Sequence, residues 1–377
     1  MTNPSGSEHA AMLRDSVADF TARASGIARV RRMRDRGEDC DRALWSRMAG
    51  LGWLGILVPE ECGGLGLTLS EAAIVAEGLS GALAPEPYTA VVVLTASVLA
   101  QARGELGDAL LRQLAAGESI VALAWQETAG DIEVASVSAR ATPFEGGYRL
   151  EGVKRYVAGG TAADGYVVTA AAGDGIALYW VPRATAGVTV SADTLADGRR
   201  SATVTLTDVV VPRAHELARG AAARDAVERA RDSATAIAGA ELLGVMHQAL
   251  DMSLEYMRTR VQFGKPIGSF QALQHRAVDL YIQRQLASAV LEDGLRRFAS
   301  VGDARTRAVL ASRIKARCSE AGLRIAREAI QIHGAIGFTD EYDAGLYLKR
   351  ALVLASWLGN AALHRRRYAR LALEAQL

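Results

Sequence analysis

The chain has 377 residues, half of them hydrophobic, and 43 basic residues stand against 42 acidic ones. That length calls for two or three domains with sizeable cores, and the near-neutral balance argues against a nucleic-acid surface or an acidic tail. Cys40, Cys62 and Cys318 are too scattered for a metal site or a disulfide framework, and no signal core or membrane-length apolar run is present, so a soluble, cytoplasmic setting is expected.

Residues 8–118 read as helices. In "ALWSRMAGLGWLGI", Leu44, Met48 and Leu51 recur at helical spacing. After the turn "VPEECGGLG", the segment "LSEAAIVAEGLSGAL" resumes the pattern and stops at "APEP", where proline cannot continue it. From residue 119 the runs become short, β-branched and glycine-punctuated: "SIVALAWQ", "VASVSARAT", "GYRLEGVKRYV", "GYVVTAA", "IALYWV" and "SATVTLTDVVV". They predict an antiparallel β-barrel over 119–221. From 222 to 377 long helices return, marked by Leu243, Leu250, Leu254, Met257 and Val261, then by Phe270, Leu273, Ala277 and Leu280 after an expected Ser269 N-cap, then by Ala311, Ile314, Cys318, Ile325, Ala329 and Ile332. They predict an antiparallel four-helix bundle. The fold class is therefore α+β multidomain: helical domain (1–118), β-barrel (119–221), helical bundle (222–377). The basic runs at 29–36 and 364–370 read as solvated helix faces, and "SWLGN" (356–360) as an apolar corner between two helices.

Two stretches could carry chemistry. In "RTRVQFGKPIGSFQALQH" (258–275) a helix ends at Arg260 beside a glycine that permits close backbone approach, a combination suited to a pyrophosphate. From its chemistry alone, a plain bundle corner is the better reading. In "QIHGAIGFTDEY" (331–342) a helix runs into a glycine-containing turn with Gln331 and His333 as its polar groups. His333 in isolation is more often structural than catalytic. No glycine fingerprint of a Rossmann or P-loop site occurs.

Together with "GWLGILVPEECGGLGL" and "GYRLEGVKRYVAGGTAADGYVVTA", these stretches resemble the acyl-CoA dehydrogenase family over nearly the whole chain. The resemblance implies FAD as cofactor and an acyl-CoA substrate. A carboxylate would take the α-proton while the β-hydrogen leaves as hydride to flavin N5. It places Arg260, Gln262 and Phe263 at the FAD pyrophosphate, and Gln331, Gly334 and Ala335 at the FAD of a neighbouring subunit. Gln126, Thr128, Tyr156 and Ala158 fall near the flavin ring. It also implies a homo- or heterotetramer and an electron-transfer flavoprotein as acceptor. The closing segment is similar to actinobacterial-type members, some of which are α2β2 heterotetramers acting on bulky or steroid-derived acyl-CoAs.

The sequence departs from the family pattern where the chemistry is concentrated. The usual Thr-Glu-Pro…Gly-Ser-Asp run is here Gln126 to Asp131, and Ala158 brings no hydroxyl to the flavin. The loop glutamate that acts as base in many members aligns with Leu358, and the alternative helix position aligns with Ala234. Glu241, among alanines and leucines, is the remaining candidate base, with Asp232 a weaker one. Pairing of Glu241 with a nearby arginine is the alternative. Three readings stay open: a dehydrogenase with a relocated base, a non-catalytic or half-site subunit of a heterotetramer, and a flavin oxygenase or oxidase on the same fold.

Overall fold

A computed structural model describes residues 4–130, 132–134, 137–173 and 175–373. Helices α1 (Pro4–Ala24), α2 (Ile27–Arg36), α3 (Arg42–Gly50) and α4 (Leu69–Gly81) lead to a π-helical segment, Thr89–Thr95, followed by α5 (Ala96–Gln101) and α6 (Glu105–Ala115). Eight strands follow: β1 (Val121–Ala124), β2 (Arg140–Phe144), β3 (Gly147–Ala158), β4 (Gly165–Ala172), β5 (Gly175–Pro182), β6 (Val188–Thr194), β7 (Arg200–Pro212) and β8 (Glu216–Arg219). Then come α7 (Gly220–Thr259), the short strands β9 (Val261–Gln262) and β10 (Lys265–Pro266), α8 (Gln271–Phe298), α9 (Ala304–His333), α10 (Ala344–Ser356) and α11 (Ala361–Leu373). The chain divides into two compact units: the described residues of Met1–Arg31, Ala73–Ala84 and Thr235–Leu377, and those of Arg32–Ala72 and Pro85–Ala234.

The sheet lies in the second unit. On β7 the alternation seen in the sequence is realised, with Val204 and Leu206 buried and Thr203 and Thr205 turned outward. Strand order is β6-β7-β3-β2-β4-β5-β8, with β1 added alongside β4. The hydrogen-bonded path is open among the described residues, so the expected barrel is corrected to an open sheet. It is also mixed rather than antiparallel, because β1 runs parallel to β4 and β2 meets β4 through the parallel pair Arg140–Ala171. The edge strand β6 explains the opening: Ser191, Asp193 and Thr194 face solvent, and a charged edge resists further pairing. In the same unit, the Asp41 carboxylate caps α3 by accepting from the Ala43 and Leu44 amides. Leu44 and Met48 are buried as the periodicity predicts, whereas Leu51 lies past the helix end and is exposed.

In the helical unit, α7, α8 and α9 take up the three periodic segments except at two ends, where Val261 lies past α7 in β9 and Phe270 is the cap of α8, and the shorter α10 and α11 pack on α9. Among the described residues, five helices rather than four therefore make up the C-terminal region. Small residues set the packing distance on α7. A Cβ on Gly239 would lie 2.5 Å from the Ile314 side chain, and one on Gly244 only 2.1 Å from the Glu77 carbonyl oxygen. Ser269 does not cap α8: its hydroxyl donates to the Pro266 carbonyl, and Phe270 holds the cap position. Nor is the run at 364–370 wholly solvated, since His364 and Arg367 are buried against α9.

Gly244→Ala would force α4 and α7 apart against the Glu77 backbone, and should destabilise the chain by about 1–3 kcal/mol. A chemical-denaturation midpoint equal to wild type would contradict that close approach.

Candidate active site

Arg260 is the single residue between the end of α7 at Thr259 and the β9–β10 hairpin. Gln262 pairs with Lys265, and Phe263 (φ 53°) and Gly264 (φ 78°) form the turn, both left-handed as a tight hairpin requires. The Ile267 amide donates to the Arg260 carbonyl at 2.8 Å and folds the hairpin back onto the helix end. The Arg260 guanidinium is exposed and makes no ion pair among the described residues. Phe263 is 90% exposed, and a Cβ on Gly264 would meet nothing within 4 Å. An uncommitted fork of donors beside open backbone fits a dinucleotide diphosphate.

The second signature is brought to the same helix ends by an aromatic contact. Tyr256, one turn before Arg260, stacks on the His333 ring at 4.4 Å between centroids. His333 shares a hydrogen bond with the Ala329 carbonyl (2.7 Å), which requires the proton on Nδ1, so Nε2 accepts from the Tyr342 hydroxyl at 3.0 Å. Desolvation lowers its pKa, so the neutral ring is a satisfied structural histidine. Beyond it, Gly334 (φ 66°) ends α9, and Gln331 and Ala335 are exposed. No atom lies within 4 Å of where a Gly334 Cβ would stand, which leaves that backbone open to a ligand.

The corner 356–360 is built around a buried ammonium. Lys315, on the inward face of α9, donates to the carbonyls of Leu354 (2.8 Å), Ala355 (3.2 Å) and Gly359 (2.9 Å), and lies 3.3 Å from Ser319 Oγ. It thus collects the orphan carbonyls at the end of α10. Burial pushes its pKa down to about 7. His364 Nε2 holds the Leu358 carbonyl at 2.8 Å, while its Nδ1 lies 3.2 Å from Ser312 Oγ. Leu358 (φ 58°) and Gly359 (φ 97°) are both left-handed, and Leu358 is 2% exposed. The backbone at 358–359 is thus held on both sides around a buried apolar side chain.

Glu241 is 7% exposed and forms a buried ion pair with Arg350 of α10. Protonating this carboxylate would remove the negative charge that faces the buried arginine. Ala234 is fully buried and inert, and Asp232 is buried beside Arg231 at 3.1 Å. Among the described residues, no cluster of His, Cys, Asp or Glu could hold a metal ion.

In the sheet unit, the four residues expected near a flavin ring occupy neighbouring backbone. The Arg155 amide donates to the Gln126 carbonyl at 2.8 Å. The β3–β7 register slips between Lys154 and Val157, so Arg155 and Tyr156 bulge outward, Tyr156 with φ 56°. Thr128 and Tyr156 are exposed and Ala158 is half-buried; Asp131 lies outside the described residues. Lys315, His364, Arg350 and Lys154 were not singled out in the sequence. The available signal for Lys315 was its place within the buried face that includes Ile314 and Cys318.

Comparison with known proteins matches this architecture. The acyl-CoA dehydrogenase N-terminal domain model covers residues 7–118 and the C-terminal domain model residues 220–373. The chain belongs to the acyl-CoA dehydrogenase family of oxidoreductases. It is 32% identical to acyl-CoA dehydrogenase IpdE2 of Mycobacterium tuberculosis, over 93% of this chain and 92% of that one. A variant of the Tcur3481-Tcur3483 steroid ACAD is similar at 27% identity and TM-score 0.88, covering 98% of this chain and 99% of that one. The ChsE4-ChsE5 complex from Mycobacterium tuberculosis is similar at 27% identity and TM-score 0.88, covering 99% and 98%. No described helix is long and apolar enough to cross a membrane.

Lys315→Met strands three carbonyls and should cost about 1–3 kcal/mol. Its pH signature has a definite sign. The folded-state pKa is depressed from 10.5 to about 7, so between these values the unfolded chain binds more protons and wild-type stability rises with pH. Lys154, depressed to about 8, adds a similar rise only above that value. Denaturation curves at pH 7 and 8 should therefore show a rise in wild type that is smaller in Lys315→Met; parallel behaviour would contradict it.

Proposed function

We propose that this chain is a subunit of a FAD-dependent acyl-CoA dehydrogenase that introduces an α,β-double bond into a bulky acyl-CoA, and that a second, related subunit supplies the base. Leu358 carries the reading. It stands where the family loop often places a glutamate, is apolar, and has its backbone fixed by His364 and by Lys315 through Gly359. FAD, when bound, supplies the hydride acceptor. Arg260 is suited to the diphosphate, with Gln262 and Phe263 alongside. Gln331 and Ala335, which are exposed, and the half-buried Gly334 would face a cofactor held by a neighbouring subunit. Gln126, Thr128, Tyr156 and Ala158 border the ring, where Ala158 offers only backbone donors.

Assembly is supported by an exposed apolar row on α8, namely Val278, Tyr281, Ile282 and Leu286, each about half exposed in the isolated chain. Such a row is what a subunit contact covers. The two-component names of two similar structures point the same way, and the steroid named for one of them supports a bulky acyl group. An electron-transfer flavoprotein is the proposed acceptor.

A second reading keeps Glu241 as the base, favoured by its burial on the helix that carries the base in other members. It requires Arg350 to release the carboxylate. Two measurements separate the readings. Anaerobic titration with acyl-CoAs should bleach flavin only when the chain is co-produced with a glutamate-bearing partner; bleaching by the chain alone, with one FAD per chain, overturns the half-site reading. Glu241→Gln should leave turnover per flavin in the assembled enzyme near wild type, while a loss of about 100-fold or more identifies it as the base.

A further inference from the structure

The sheet unit buries a second lysine whose surroundings are unlike those of a chance surface pair. Lys154 is fully buried on β3, and its Nζ lies 2.6 Å from Glu127 Oε1 and 2.8 Å from Thr169 Oγ1. The same carboxylate accepts the Ala139 amide at 3.0 Å on Oε1 and the Ser138 amide at 2.6 Å on Oε2. Thr169 Oγ1 in turn lies 3.4 Å from the Trp125 carbonyl. Glu127 thus has three donors and gains the ionised form through them, its pKa lowered despite burial.

The position of the pair matters more than its strength. Glu127 stands between Gln126 and Thr128, and Lys154 is the last residue of β3 in register before the bulge that turns Tyr156 outward. One ion pair therefore ties together both segments that border the flavin in the reading above. The Arg155 amide bond to Gln126 adds a second stitch two atoms further along the backbone. A buried ion pair is weak ground for stability, since apolar pairs of similar volume often do as well. Placement is what an apolar pair would not reproduce: it lacks the directional bonds that fix the 126–128 backbone against the bulge. Tyr156 also sits at φ 56°, a conformation that costs energy in a bulky residue and persists only where its surroundings impose it.

We propose that Lys154 and Glu127 are positioning residues that hold Gln126, Thr128 and Tyr156 in the arrangement that grips the flavin ring, an inference that rests on the FAD reading. The experiment compares wild type, the double variant Lys154→Met with Glu127→Leu, and the milder Glu127→Gln, each as the full chain in its assembly. Three quantities are read: the FAD dissociation constant from flavin fluorescence, the visible spectrum of bound flavin, and the denaturation midpoint of flavin-stripped protein. The expected result is a dissociation constant raised about tenfold or more with a shifted flavin spectrum, and a stripped-protein midpoint near wild type for at least one variant. Unchanged affinity and spectrum overturn the proposal, as does a fallen midpoint with flavin binding intact, which would make the pair merely structural. If the double variant fails to fold, Glu127→Gln decides by the same criteria. Wild-type protein that takes up no FAD overturns the cofactor reading itself and this role with it, an outcome distinct from equal binding by all three proteins.

Discussion

An ammonium group removed from water must be surrounded by oxygen, and that constraint organises both compact units of this chain. In the helical unit, Lys315 gathers the end of α10 and the residue after Leu358 into one cage of carbonyls. In the sheet unit, Lys154 gathers a carboxylate and a hydroxyl from two other segments. Each lysine satisfies its own desolvation by fixing backbone that would otherwise be loop. Each of those loops lies where the family resemblance places cofactor or substrate.

The two cages differ in their chemistry. Lys154 has an ionised partner in contact, so it holds its proton further up the pH scale, to about 8. Lys315 has only neutral acceptors within hydrogen-bond reach and a lower value, about 7. Glu241 raises that value through space while its own contact is with Arg350. Three charged groups therefore share the interior of the helical unit with α7, α9 and α10 packed around them. The Glu241 carboxylate is committed to Arg350 in this arrangement.

Much of the helical unit was legible because period-3.6 patterns survive without knowledge of partners. The segments headed by Leu243, Phe270 and Ala311 became α7, α8 and α9, with Phe270 itself left at the cap of α8. The corner at 356–360 was legible too, since Gly359 and Asn360 interrupt an apolar run. Strand pairing was less legible. The segment that forms β6, "VTVSADT", is largely polar, and β8 has four residues, too few to show alternation. Whether a sheet closes depends on contacts between distant strands, which local pattern does not encode. The buried cations were the least legible part of the site. A lysine or arginine looks the same in sequence whether it meets water or a cage of carbonyls, and only the partner positions, dozens of residues away, decide between them.

The tip of the β9–β10 hairpin carries Phe263 into solvent, and Phe338 is 82% exposed beyond the end of α9. Two aromatic rings so displayed make the newly synthesised chain adhesive. Yield and monodispersity in a heterologous host then depend on the timing of synthesis: a subunit made ahead of whatever covers those rings waits in a state prone to capture by chaperones or by its own copies. For such a chain, keeping those two rings covered is a requirement of handling as much as of chemistry.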